Sequence, residues 1–179
     1  MKKLLITILC ATSMTAFAAT EEGAYAGGNL GFGNVDSLKN LDLGINLNAG
    51  YQFNQYLALE GDYTYFSSAD TWQSTPAATQ TGNAMYFIGA IKGTLPLTNR
   101  FSVYGKAGIG FAYSSLSATP NFANGSTSAM SPASLLGAGL KYDITPKLAV
   151  NVEDMNYINT VQNGLGNANL IGIGASYNF

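Results

Sequence analysis

The sequence predicts an all-β chain: an eight-stranded antiparallel up-and-down transmembrane β-barrel with a polar, side-chain-filled interior. Three observations carry this. Apolar and polar residues alternate with a period of two through eight separate segments, which no helix produces. The connections alternate between long and short, as they do in barrels with short periplasmic turns and longer extracellular loops. Charge is confined almost entirely to one parity of the strands, while the other is apolar with aromatic residues near both ends.

The chain of 179 residues opens with a segment that does not belong to the fold. Lys2 and Lys3 precede a short apolar run, Leu4 to Ala11, and Ala16-Phe17-Ala18 is a small-x-small site. Residues 1–18 therefore read as a secretory signal peptide cleaved after Ala18, with residues 19–179 forming the barrel domain. Cys10 falls inside the leader, so no disulfide or thiol chemistry is expected beyond it. Residues 19–179 carry six basic and ten acidic residues, a net charge of −4, with no basic patch for nucleic acid.

The strands follow in order. Strand one, Ala24 to Asn34, sets Ala26, Leu30 and Phe32 against Tyr25, Asn29, Gly31 and Gly33. Strand two, Leu43 to Phe53, places Leu43, Ile45, Leu47, Ala49, Tyr51 and Phe53 on one face. Strand three, Tyr56 to Phe66, opposes Leu57, Leu59, Tyr63 and Tyr65 with Glu60, Asp62 and Thr64. Strand four, Ala84 to Leu95, has Met85, Phe87, Ile91 and Leu95 against Tyr86, Ile88 and Lys92. Strand five, Phe101 to Tyr113, has Phe101, Val103, Ile109, Phe111 and Tyr113 against Tyr104, Lys106 and glycines. Strand six, Ala133 to Ile144, has Leu136, Leu140 and Tyr142 against Lys141 and Asp143. Strand seven, Leu148 to Tyr157, has Leu148, Val150 and Val152 against Asn151 and Glu153. Strand eight, Asn169 to Phe179, has Ile171, Ile173, Ala175, Tyr177 and Phe179 on one parity, with small and polar residues plus Leu170 on the other. Its Gly174, Tyr177 and Phe179 resemble the C-terminal assembly signal of Gram-negative outer-membrane barrels.

The long connections are Asn34–Asp42, Ser67–Asn83, Ser114–Pro132 and Ile158–Ala168. A lysine or arginine facing hydrocarbon at the midplane costs about 2–4 kcal/mol, so the charged parity must face inward. Asp154 is the misfit, because alternation aims it at lipid; a bulge on strand seven, or an outer rim that arrives early there, would relieve it.

Inward charges gather at one level. Glu60, Lys92, Lys106, Lys141 and Glu153 lie on strands three to seven in order, with Asp62 close by, which predicts a paired network. Its plain reading is a charge-balanced plug; the functional alternative is a narrow gate for ions or small solutes.

The layout, segments such as Phe101-Ser-Val-Tyr-Gly-Lys-Ala-Gly-Ile-Gly and Leu140-Lys-Tyr-Asp-Ile-Thr-Pro, and the Tyr177 to Phe179 ending resemble the small OmpA-like and OmpX-like outer-membrane barrels. The resemblance spans about residues 24–179. It implies a location in the outer membrane, contact with outer-membrane lipid and lipopolysaccharide, and recognition by the barrel-assembly machinery through strand eight. The interior network is similar to the one such barrels carry. No peptidoglycan-binding domain follows strand eight, so a cell-wall tether is not carried over. The chain contains no His, so the usual base of a Ser hydrolase and the usual metal ligand are both missing. No enzymatic activity and no cofactor or metal are expected. The expected role is structural and surface-interacting, through four loops that could hold a host or surface ligand, with Trp72 a possible anchor; the runner-up is the gated pore.

Overall fold

The computed structural model describes residues 22–35, 38–68, 79–119, 125–159 and 166–179. The expected leader and Trp72 lie outside them. Eight strands are present: β1 Gly23–Val35, β2 Leu38–Asn54, β3 Leu57–Ser68, β4 Thr79–Pro96, β5 Phe101–Thr119, β6 Gly125–Asp143, β7 Leu148–Asn159 and β8 Ala168–Asn178. Each pairs antiparallel with its sequence neighbours. β1 pairs with β8 from Tyr25↔Asn178 to Val35↔Ala168, which closes the sheet on itself and bears out the barrel.

The side chains face as the alternation requires. Ile109 is 77% exposed and Ile173 68%, whereas Glu60 is 2% exposed and Phe66 fully buried. Apolar residues point out toward what must be lipid, and the charged parity is sealed inside.

Two features depart from expectation. First, the paired strands reach further than the apolar alternation. β2 begins at Leu38 rather than Leu43 and β4 at Thr79 rather than Ala84; β5 runs on to Thr119 and β6 starts at Gly125. Ladder pairs such as Ser115↔Ser128 and Thr79↔Thr119 continue there. Backbone pairing needs no apolar side chain once the strand has left hydrocarbon, and Ser and Thr tolerate an extended chain, so periodicity alone stopped short. Second, the interior is not polar throughout. Its half nearer the long connections is packed by Val35, Phe66, Tyr86, Leu135, Met155 and Tyr157, all buried. These belong to the inward parity, and their size fills the space that charge fills lower down.

The three short turns share one device. Asn54 Oδ1 accepts from the backbone N–H of Tyr56 (2.9 Å) and Leu57 (3.0 Å). Thr98 Oγ1 accepts from Arg100 and Phe101 N–H, and Thr145 Oγ1 from Lys147 and Leu148 N–H. A short polar side chain that caps its own turn is why Asn and Thr sit at these corners.

No register shift occurs along β7, so no bulge rescues Asp154. Nor has the apolar face ended there, because Ile158 beyond it is apolar and 43% exposed. Asp154 is instead set into the outward surface.

Candidate functional site

Lys106 is the hub of the lumen. Its Nζ lies 2.8 Å from Glu60 Oε1, 2.8 Å from Asp62 Oδ1 and 2.8 Å from Glu153 Oε1. The first two are hydrogen bonds; the third is an ion pair without hydrogen-bond alignment. An ammonium has three N–H groups and no acceptor; two of them are taken by Glu60 and Asp62, and Glu153 adds a third negative charge beside it. The side chains of Lys106, Glu60 and Asp62 are wholly shielded from solvent. Breaking such a pair leaves an uncompensated buried charge, which costs about 3–5 kcal/mol.

The strands dictate this knot. Glu60 and Asp62 are successive inward positions on β3. Lys92 on β4 stands directly opposite Lys106 on β5, a like-charged cross-strand pair that would be unfavourable side by side. The two ammoniums separate. Lys106 crosses the lumen with its stem over Gly137, where a Cβ would meet Lys106 Cγ at 3.0 Å. Lys92 turns toward the short-turn end, 3.1 Å from Glu60 Oε2, with its Nζ 4.4 Å from the centroid of the Tyr104 ring. Tyr25 donates its hydroxyl to the same Glu60 oxygen at 2.7 Å.

A polar layer joins this knot to the apolar half. Asn46 Nδ2 donates to Asp62 Oδ1 (3.1 Å) and to Thr64 Oγ1 (2.8 Å). Thr64 Oγ1 and the Tyr157 hydroxyl lie 2.6 Å apart. Asn29 Nδ2 donates to Asn46 Oδ1 at 3.0 Å, and Asn151 Nδ2 donates to Asn29 Oδ1 at 2.5 Å. Above it, Phe66 packs edge-on against Tyr86 and Tyr157 at centroid distances of 5.9 and 6.0 Å.

Of the residues singled out in the sequence, Glu60, Asp62, Lys92, Lys106 and Glu153 come together. Lys141 does not. It pairs with Asp143 at 3.2 Å, lower in the barrel, because its strand position faces Ser102 and Asn151 rather than the carboxylates. Tyr25, Asn29, Asn46, Thr64, Tyr104 and Asn151 join the network without carrying charge. They share the inward parity, and that signal could have included them. At the other candidate, the Tyr177 and Phe179 rings face outward in an edge-to-face pair 5.4 Å apart. Gly174 faces inward beneath the Asn29 amide: a Cβ there would meet Asn29 Oδ1 at 2.0 Å.

A closed barrel with a lipid-facing apolar belt and a sealed, ion-paired lumen has a family counterpart. The model of the outer membrane protein β-barrel domain matches residues 4–179. This chain belongs to that family. Its fold is shared by neisserial surface protein A, NspA (TM-score 0.64, 13% identity, covering 90% of this chain and 99% of that one). Ail, the attachment invasion locus protein of Yersinia pestis, aligns over 92% of this chain and all of its own (TM-score 0.59, 16% identity); it has also been solved with the heparin analogue sucrose octasulfate. The outer membrane enzyme PagL matches too (TM-score 0.53, 15% identity, covering 88% of this chain and all of that one), so this fold hosts catalysis as well as attachment. No curated protein sequence matches the chain.

Proposed function

We propose that this outer-membrane barrel is a sealed anchor that presents its long connections to a partner at the cell surface, without enzymatic activity. One observation carries the reading: the lumen is closed twice over, by the Lys106 knot and by the Phe66–Tyr86–Tyr157 stack. Eight strands leave an interior only wide enough for side chains, and here they fill it. The surface and attachment proteins that share the fold support the same reading.

The partner should not be a polyanion such as the one bound to Ail. The long connections hold one basic residue, Lys39, against Asp36, Asp42 and Asp70, and are otherwise rich in Ser, Thr, Asn and Ala. Recognition through hydrogen bonds and aromatic contact, with Trp72 as the anchor, fits that composition. Replacing residues 69–78 or 120–124 with Gly-Ser linkers should reduce binding to host cells or matrix while leaving solute uptake unchanged. Unchanged binding in both strains would remove the surface reading. In planar bilayers the refolded protein should show no unitary current steps, nor should Lys92→Ala. Steps that scale with removal of Lys92 or Lys106 would favour a gate instead.

Export would use residues 1–18, with mass spectrometry of the outer-membrane fraction giving Ala19 as the first residue. Insertion would use β8 as the assembly signal, through the outward Tyr177 and Phe179. Outer-leaflet lipid would surround the apolar belt.

A further inference from the structure

The outward face of β7 is interrupted. Leu148, Val150 and Val152 are followed by Asp154 and Asn156 before Ile158 restores an apolar side chain. The same face of β5 is free of polar side chains from Phe101 to Tyr113. Asp154 stands directly opposite Ala138 on β6 and Ile171 on β8, both exposed and outward, so the carboxylate lies within the apolar belt rather than above it. Asn169 on β8 completes a cluster, its Nδ2 donating to Asp154 Oδ1 at 2.6 Å and to Asn156 Oδ1 at 3.1 Å.

A second observation falls on the same side. The aromatic girdle toward the long connections consists of Phe32, Tyr63, Tyr65, Phe87, Phe111 and Tyr113, on β1, β3, β4 and β5. It has no member on β2, nor on the three consecutive strands β6, β7 and β8, whose outward positions at that end include Pro132, Ser134, Ile158 and Asn169. Below Asp154 lies an apolar groove of about 530 Å³ lined by Leu140, Tyr142, Val150, Val152 and Ile173 among others. A polar cluster where hydrocarbon should be, beside a gap in the rings that anchor a barrel to lipid headgroups, marks a face that meets protein.

We infer that β6, β7 and β8 form an isologous interface with a second copy of this chain. The chemistry selects that occupant. An amide carries both donor and acceptor, so Asn156 and Asn169 are their own complement across a two-fold axis, where a contact from residue i to j is returned from j to i. Within one copy Asn169 Nδ2 gives both its hydrogens to Asp154 and Asn156, and Asn156 Nδ2 gives one to Asp154 at 3.4 Å, so the second Asn156 N–H is the donor left for the partner's Asp154 or Asn169 Oδ1. A second copy and an anionic lipid headgroup both bring negative charge toward that carboxylate, but the copy brings the Asn156 amide donor with it. Among the described residues no Lys or Arg lies on the outward face of the belt to bridge the two. Polar side chains are the usual glue between membrane-embedded segments, since lipid offers no competing hydrogen bond.

The chain has one cysteine, so Cys10→Ser gives a background for single-cysteine reporters. Val152→Cys lies on the inferred interface and Ile91→Cys on the opposite side of the barrel, both outward and exposed. Oxidation of native outer membranes should give a cross-linked dimer from Val152→Cys and monomer from Ile91→Cys. Adding Asp154→Leu, Asn156→Leu and Asn169→Leu should lower the dimer yield about tenfold, equivalent to about 1.4 kcal/mol of polar pairing. Heat-modifiable gel migration would verify that the triple variant is folded. Equal cross-linking at both positions, none at Val152, or a yield untouched by the triple change would each overturn the interface. So would a monomeric Val152→Cys protein that co-purifies with stoichiometric glycolipid, which would assign the face to lipid.

Discussion

The lumen is packed by opposite rules at its two ends. Toward the short turns, Glu60, Asp62, Glu153, Lys92 and Lys106 fill it with charge; toward the long connections, Phe66, Tyr86, Leu135, Met155 and Tyr157 fill it as an ordinary protein core would. Both halves exclude water, but they differ in what a defect costs. An apolar layer that loses a ring keeps its other contacts. A charged layer that loses its hub keeps three carboxylates with too little to hold them. Sealing and stability are therefore separable in this barrel: either half closes it, and only one of them becomes hostile when broken.

The largest effect is expected from Lys106→Ala. It should destabilise the refolded barrel by about 4 kcal/mol, because among the described residues Asp62 and Glu153 pair with no other cation and Glu60 keeps Lys92 alone. A urea midpoint shift no larger than that of an outward Leu→Ala control would show the knot is incidental. Phe66→Ala in the apolar half should cost about 3 kcal/mol by leaving a cavity between Tyr86 and Tyr157, read in the same titration. Gly174→Ala should cost about 2 kcal/mol, since its methyl group would displace the Asn29 amide from the polar layer and press on the Gly28 carbonyl oxygen of β1. The Asn29→Ala background should remove only part of that cost, because the Gly28 carbonyl oxygen lies 2.4 Å from the same Cβ position, and a double-mutant cycle separates the two contributions. Tyr157→Phe should be mildest, about 1 kcal/mol, by deleting the hydroxyl contact to Thr64 that ties the two halves together.

The strands and their order were legible because side chains that alternate between lipid and lumen cannot hide their period, and β2 shows it from Leu43 to Phe53 without a break. The ends of β5 and β6 were not, because Ser114–Thr119 and Gly125–Ser131 pair through backbone groups that leave no mark on residue type. The meeting of Lys106 with Glu60, Asp62 and Glu153 follows from parity and distance to the nearest turn. The split lumen was half visible: Tyr86, Ile88 and Leu170 stood on the inward parity, yet a rule sorting faces by charge gives no reason to expect a second, apolar layer. Lys141 was misplaced because counting from turns ignores which strand a side chain leans toward, and Asp143 is two residues away on its own strand. Asp154 was recognised as an anomaly from alternation alone, and the unbroken register of β7 turns that anomaly into a surface feature.

The seam between β1 and β8 has a kinetic consequence. Tyr25 meets Asn178 and Val35 meets Ala168, so the first strand, already paired with β2 on one side, waits for the last before its other hydrogen-bonding row is filled. Until then the growing sheet has two bare edges, open to any extended segment nearby, and the closing step must bring together the most distant parts of the chain. Folding of this molecule should therefore be governed by the arrival of β8, and a population lacking that strand should accumulate as aggregates rather than as a smaller barrel.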